Sequence, residues 1–167
     1  SSDNKRASVS NLFVNISKKG ITGGNRVGGI CGNLSYGNIE NCMVTGDISG
    51  GGYVGGIVGC NSDNYYNSSI ISQCASSGNI IANSGSVGGI LAYQNGACSI
   101  ENCYSIANVK TEGSYYSEAY GIGGSAENCY FAGTISGANI NYVYPLDLIQ
   151  TVTTTLRKQR FLENQVL

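Results

Sequence analysis

Seven cysteines, three glutamates in one recurring motif and twelve tyrosines are the residues of this chain with chemistry to offer. The glutamates are Glu40, Glu101 and Glu127, each directly before Asn-Cys. Carboxylates brought to about 5 Å apart would suit a retaining glycosidase. With Asn and Ser oxygens beside them they would instead suit a hard cation such as calcium. The pair Glu101 and Glu127 is therefore the one metal candidate, and its default reading is a solvated outward row. The cysteines offer less. There is no C-x-x-C pair and no histidine, so a zinc site is not expected. Tyrosine supplies anchors for protein or glycan contact. Tyr65, Tyr66, Tyr115 and Tyr116 come as pairs inside two long inserts, which makes them the candidate binding residues.

What is missing narrows the function further. Without histidine the chain has no Ser-His-Asp or Cys-His centre and no imidazole acid–base chemistry. Charged residues make up 11% of the chain, and no Lys or Arg occurs between Arg26 and Lys110. A phosphate backbone needs several cationic contacts, so nucleic acid is not an expected partner. An anionic membrane surface is disfavoured for the same reason. No apolar run is long enough for a spanning helix. The chain starts without Met and without a signal peptide, and reads as a mature or excised piece of a larger protein.

The elements that must position these residues come from an internal repeat. The unit reads V-S-N-L at 9–12, I-E-N-C at 39–42, I-S-Q-C at 71–74, I-E-N-C at 100–103 and A-E-N-C at 126–129. Its last residues, Leu12, Cys42, Cys74, Cys103 and Cys129, are spaced 30, 32, 29 and 26 apart. V-G-G-I recurs at 27–30, 54–57 and 87–90, with a worn copy, A-Y-G-I, at 119–122. Glycine punctuates the sequence too often for helices. Short β-branched runs between glycines read as short strands with tight corners. A unit of this length is one coil of a parallel β-solenoid, stacked on the next at about 4.8 Å. The sequence thus predicts an all-β, β-helix-like domain of about five coils over residues 1–144.

Equivalent positions then form rows along the axis. Ile30, Ile57, Ile90 and Ile122 make one inward row, Val27, Val54 and Val87 another, and Ile39, Ile71 and Ile100 a third. The cysteine row, begun by Leu12, is read as a ladder of reduced thiols in the core. Rung spacing keeps parallel Cβ atoms too far apart for easy disulfides, and free Cys behaves as a small hydrophobe. Leu12 in the same slot points to an apolar requirement. Cys31 shares its position with Val58 and Leu91 and is expected in the core. Cys60 and Cys98, beside loops, are the expected exposed thiols. Asn11, Asn41, Gln73, Asn102 and Asn128 form an amide row able to hydrogen-bond from coil to coil. The Gly-Gly units fit corners that need positive φ or close backbone approach. Long inserts occur at 17–26, 60–69 and 110–118, where loops leave the stack.

After Pro145 the repeat stops. Leu148, Ile149, Val152, Leu156, Leu162 and Val166 would line one face of a helix. Residues 145–167 are expected to be a helical cap on the open end of the stack, or a linker.

V-G-G-I-x-G followed by x-E-N-C-x-x-x-G-x-I resembles the GLUG-motif repeats of bacterial cell-surface proteins. Such repeats also occur in non-catalytic regions of secreted peptidases, including the IgA-cleaving metallopeptidases. The resemblance covers residues 9–137 and departs at A-Y-G-I and beyond 145. It implies an extracellular bacterial repeat module and carries over no catalytic residue. The metallopeptidase His-Glu-x-x-His motif is absent.

The expectation is therefore a non-catalytic repeat module of a bacterial surface or secreted protein. It would act as a spacer, an adhesin or a scaffold that binds a host or bacterial surface protein or glycan, with no cofactor. The alternative is a β-helical polysaccharide-acting enzyme or glycan-binding module.

Overall fold

A computed structural model describes residues 6–62, 68–114 and 116–137. Within these residues the chain winds into a parallel β-solenoid of about four turns, with every strand pair parallel. A complete coil has five short strands, one on each of five faces.

The first face stacks Ala7–Ser10, Gly37–Glu40, Ser69–Ser72, Cys98–Glu101 and Ala126–Glu127. The second stacks Phe13–Asn15, Met43–Thr45, Ala75–Ser77, Tyr104–Ser105 and Tyr130–Phe131. The third stacks Ile21–Gly23, Ile48–Gly50, Asn79–Ala82, Asn108–Thr111 and Thr134–Ser136. The fourth has Arg26–Gly28, Tyr53–Gly55, Val87–Gly88 and Ala119–Tyr120. The fifth has only Cys31–Leu34, Val58–Asn61 and Leu91–Gln94. Among the described residues the fourth coil thus lacks a fifth-face strand, and the last unit contributes three strands up to residue 137.

Register follows the sequence repeat. Val9, Ile39, Ile71 and Ile100 align on the first face, and Ile21, Ile48, Ile80, Val109 and Ile135 on the third. Alternation sends these side chains inward, where they meet Val54, Ile57, Val87 and Ile90 in one continuous core. Each fully buried Val or Ile contributes about 1.5–3 kcal/mol of transfer free energy. One coil alone has no partner for that face, which is why the unit recurs.

The first coil shows what happens without a neighbour. Val9 is 37% exposed and Leu12 41%, while their counterparts Ile39 and Cys42 are 1% and 2%. The expectation that Leu12 fills a core slot is therefore corrected. It stands in line with the cysteine row, but at the uncovered end. Ile30, expected inward with Ile57, is only half-buried for the same reason.

The fourth and fifth strands of a coil fold back against each other. A Cβ on Gly59 would lie 2.7 Å from the Val27 nitrogen and 2.8 Å from its oxygen, so only glycine allows the approach. At the Gly-Gly corner, a Cβ on Gly29 would lie 2.5 Å from the Gly56 oxygen. None of Gly28, Gly29, Gly55, Gly56, Gly88 and Gly89 has positive φ. Close approach alone, and not a left-handed backbone, fixes glycine at this corner.

The tail at 145–167, with its expected helix, and the domain boundary before it lie outside the described residues. Among the described residues no helix is long and apolar enough to cross a membrane.

Candidate functional site

Two corners of the coil carry the residues with chemistry. The first lies between the first and second faces, at the Asn-Cys unit. Asn11, Asn41, Gln73, Asn102 and Asn128 all have left-handed backbone, with φ of 57°, 49°, 53°, 54° and 51°. Asn is the non-glycine residue that tolerates this region best. Backbone conformation thus explains the amide row better than the expected ladder does. One side-chain bond of that ladder is present, from Asn41 Nδ2 to Asn11 Oδ1 at 2.7 Å.

A hydrogen-bonded polar ladder does exist, five residues after each cysteine. Asn79 donates from Nδ2 to Asp47 Oδ1 at 2.9 Å, Asn108 to Asn79 at 3.1 Å and Thr134 to Asn108 at 2.8 Å. The same alignment that found the cysteines contained it.

The cysteine row does more than fill space. All seven cysteines are free. The backbone N–H of Cys74 donates to Cys103 Sγ at 3.4 Å, and that of Cys103 to Cys129 Sγ at 3.3 Å. The N–H of Leu12 reaches Cys42, and that of Cys42 reaches Cys74, in the same way. Each thiol in turn donates to the carbonyl two residues before it: Cys42 to Glu40, Cys74 to Ser72, Cys103 to Glu101 and Cys129 to Glu127, at 3.1–3.2 Å. A sulfur is therefore required wherever a preceding coil offers its N–H. Among the described residues no coil stacks before that of Leu12, and no N–H there calls on it for an acceptor. Burial pushes the Cys42 thiol up, and the neighbouring thiols Cys129 and Cys74, then burial, push Cys103 up strongly. These are inert structural thiols.

Cys60 and Cys98, expected to be exposed, are buried. Cys60 lies in the middle fifth-face strand, paired on both sides by Cys31–Leu34 and Leu91–Gln94, and the Cys98 strand is paired with that of Ser69–Ser72. Cys31, expected in the core, is the partly exposed one, because it sits on the end coil.

Glu101 and Glu127 are register partners on the first face. Glu101 accepts a short hydrogen bond from Ser99 Oγ. Glu40 pairs with Ser10 and Ser72, and Ser72 with Glu101, so serines separate Glu40 from the pair. Among the described residues no cluster of three His, Cys, Asp or Glu is disposed to hold a metal ion.

The second corner lies between the fourth and fifth faces. Two rows in register meet there, each with exposed or half-buried members and one buried one, Ser86 or Cys60. One runs Arg26, Tyr53, Ser86, Glu118 in register, and the other Asn33, Cys60, Tyr93. Arg26 donates to Asn33 at 3.2 Å across the gap. One coil on, Tyr53 and Tyr93 stack with centroids 4.3 Å apart and planes 8° from parallel. Beyond them the groove widens into a cleft of about 500 Å³ lined by Tyr93, Gln94, Glu118, Tyr120 and Ser125. The Tyr120 hydroxyl donates a short bond to Glu118. Gln94 braces the wall: it donates to the carbonyls of Gly96 and Cys98 at 3.2 and 3.3 Å and accepts from the Ser125 N–H at 3.2 Å.

The cleft exists because the repeat breaks. Tyr120 is the register partner of Gly88, whose own place is taken by Gly55 and Gly28 in earlier coils. In those coils the fifth-face strand presses on the glycine, so that a Cβ would overlap the Cys31, Val58 or Leu91 carbonyl. The fourth coil has no such strand. A tyrosine fits, and the space left by the strand becomes the cleft.

A model of the GLUG motif matches residues 23–49 and 83–110. The chain carries GLUG repeats. Each matched stretch makes one full turn, from the end of the third face around both corners to the third face of the next coil. The 60–69 insert falls between the two GLUG matches, and the 110–118 insert begins where the second ends. Searches of curated proteins and of solved structures each returned no significant match.

Described ends of the two inserts with candidate tyrosines lie near the cleft. Gln94 is the register partner of Asn61, at the mouth of the 60–69 insert, and Glu118 closes the 110–118 insert. Tyr116 is 89% exposed two residues from Glu118. Tyr65, Tyr66 and Tyr115 lie outside the described residues. Sequence reasoning missed Tyr53, Tyr93, Glu118 and Tyr120. The available signal was A-Y-G-I, where tyrosine replaces the first glycine of the corner.

Proposed function

We propose that this chain is a non-catalytic, extracellular repeat module of a bacterial surface or secreted protein, and that it binds a surface protein or glycan. The GLUG repeats and the solenoid supply a rigid scaffold whose corner residues go into holding the stack. The observation that carries the binding reading is the cleft lined by Tyr93, Tyr120 and Glu118, at the point where the repeat departs from its pattern. Binding groups concentrate on loops positioned by a rigid scaffold, and half-buried tyrosines offer contact area at low entropic cost.

The same cleft sets this reading apart from the polysaccharide-acting enzyme. Its one carboxylate, Glu118, has no second acid or base among the residues that line it. Among the described residues the register pair of carboxylates is Glu101 and Glu127 on the first face, the arrangement nearest to the two-carboxylate geometry of glycoside hydrolysis.

The test is adhesion of the purified chain to immobilised glycans and to extracted cell-surface proteins, run beside an activity screen on soluble polysaccharides. Saturable adhesion without turnover is expected. Polysaccharide turnover that disappears in Glu101→Gln would overturn the reading in favour of the enzyme.

A further inference from the structure

We propose that the groove between the fourth and fifth faces is a carbohydrate site, and that it takes a neutral oligosaccharide lying along the solenoid axis. The inference rests on the binding-module reading above and assigns it a place and a ligand class.

Four features of the groove point to this chemistry. The Tyr53–Tyr93 stack holds two aromatic rings in one plane-parallel unit, and Tyr93 lines the cleft. Aromatic faces are the surfaces on which the apolar C–H side of a sugar ring packs. Beside that platform, the Tyr120 hydroxyl donates its proton to Glu118, and the bonded pair presents acceptor oxygens to sugar hydroxyls. At the far end of the same two rows, Arg26 and Asn33 form a second bonded pair. In register order along the axis, the two rows thus bring a polar pair, an aromatic stack and a second polar pair, of which the cleft takes in Tyr93, Glu118 and Tyr120. Coils repeat at about 4.8 Å, close to the length of one pyranose residue in an extended chain, so successive coils can meet successive sugars.

The charge balance narrows the ligand class. One cation, Arg26, and one carboxylate, Glu118, stand at opposite ends, which favours a neutral ligand over a uniformly anionic or cationic one. The cleft is also preorganised. Gln94 ties the Gly96–Cys98 carbonyls to Ser125 in the next coil through three hydrogen bonds, so little ordering cost attends binding. Its volume of about 500 Å³ falls in the range of small-ligand sites.

The test is calorimetric titration of the whole chain with cellohexaose, xylohexaose, mannohexaose and chitohexaose, beside hexalysine as the cationic competitor class. At least one neutral hexasaccharide should bind saturably. Tyr93→Ala and Glu118→Gln should each weaken it about tenfold or more, the effect of removing a stacking or charge-assisted contact. Tyr120→Gly, which restores the residue of the other coils, should weaken it as well. Thr22→Ala on the third face should leave it unchanged. Thermal melting of each variant separates lost binding from lost folding, and Tyr93→Phe, which keeps the ring, should retain affinity.

Three results would overturn the proposal. Hexasaccharide binding indifferent to the Tyr93, Glu118 and Tyr120 variants would place the site elsewhere while leaving the module reading intact. Glu118-dependent binding of hexalysine without any saccharide would assign the groove to a cationic ligand. Absence of saccharide binding, with adhesion to surface proteins retained, would remove the ligand class but keep the module.

Discussion

The two corners of the coil are built on opposite rules. The Asn-Cys corner recurs in all five units, with the same left-handed backbone each time. Its side chains are consumed by the stack: thiols accept N–H groups from the coil before and donate to carbonyls of their own. The Gly-Gly corner recurs three times and then fails at Tyr120. A corner held by side-chain bonds between successive coils leaves little chemistry to spare. A corner held by the absence of side chains can be opened by adding one. The lesson is that regularity marks structure here, and departure from it marks the place where a ligand can enter.

The comparison can be broken or sharpened by substitution. The largest effect is expected at the intact glycine corner. Gly56→Ala puts a Cβ into the Gly89 carbonyl and against Ser76, and should cost about 3 kcal/mol in urea unfolding. Gly24→Ala, where the added Cβ meets nothing within 4 Å, should stay within about 0.5 kcal/mol. Equal costs at the two sites would refute close approach as the reason for glycine.

Next come the thiols. Cys103→Ala removes a buried side chain and orphans the Cys74 N–H, and should cost about 2–3 kcal/mol. Leu12→Ala on the uncovered coil should cost about 1 kcal/mol or less, since its slot is already open to water. A larger loss at Leu12 than at Cys103 would contradict the account of the row.

The same thiols set an alkaline limit. The folded state raises the pKa of Cys31, Cys42, Cys60 and Cys103 above its ordinary value and lowers that of Cys74, through its hydrogen bond with Cys103, so on balance it holds protons that the unfolded chain releases. Their contribution is fully present below the ordinary thiol value of about 8.5 and falls as pH climbs beyond it. The midpoint of urea unfolding should be flat from neutral pH to about 8 and then decline. A midpoint that rises through this window would reverse the sign of the argument.

The smallest effect tests the amide row. Gln73 holds a φ of 53° where its counterparts are Asn. Gln73→Asn should gain about 0.5 kcal/mol, since Asn tolerates the left-handed region better. A loss would mean that the Gln side chain contributes more than the corner geometry suggests.

Much of this fold was legible in the sequence, for reasons visible at single residues. Ile39, Ile71 and Ile100 recur at a fixed place, and a solenoid converts recurrence directly into register. The cysteine row was found the same way. Its sulfur chemistry was not, because Leu12 suggested a purely apolar slot, and only the order of the coils shows that Leu12 has no N–H to receive. Cys60 and Cys98 were misjudged because nearness to a loop in sequence says little about cover from the next coil. The groove was hidden for a different reason. Tyr53 and Tyr93 are forty residues apart and belong to rows on different faces. Their meeting depends on the fold-back of the fourth and fifth strands, a distance set by Gly59 and Gly32 rather than by any periodicity.

The measurement that tests the central claim most directly is an amide chemical-shift map of the whole chain during titration with the neutral hexasaccharide that binds. The account predicts shifts at Tyr53, Tyr93, Glu118, Tyr120 and Ser125, with the Asn-Cys corner unmoved. Shifts centred instead on Asn41, Cys42 and their counterparts would contradict it, because the regular corner would then be the binding surface.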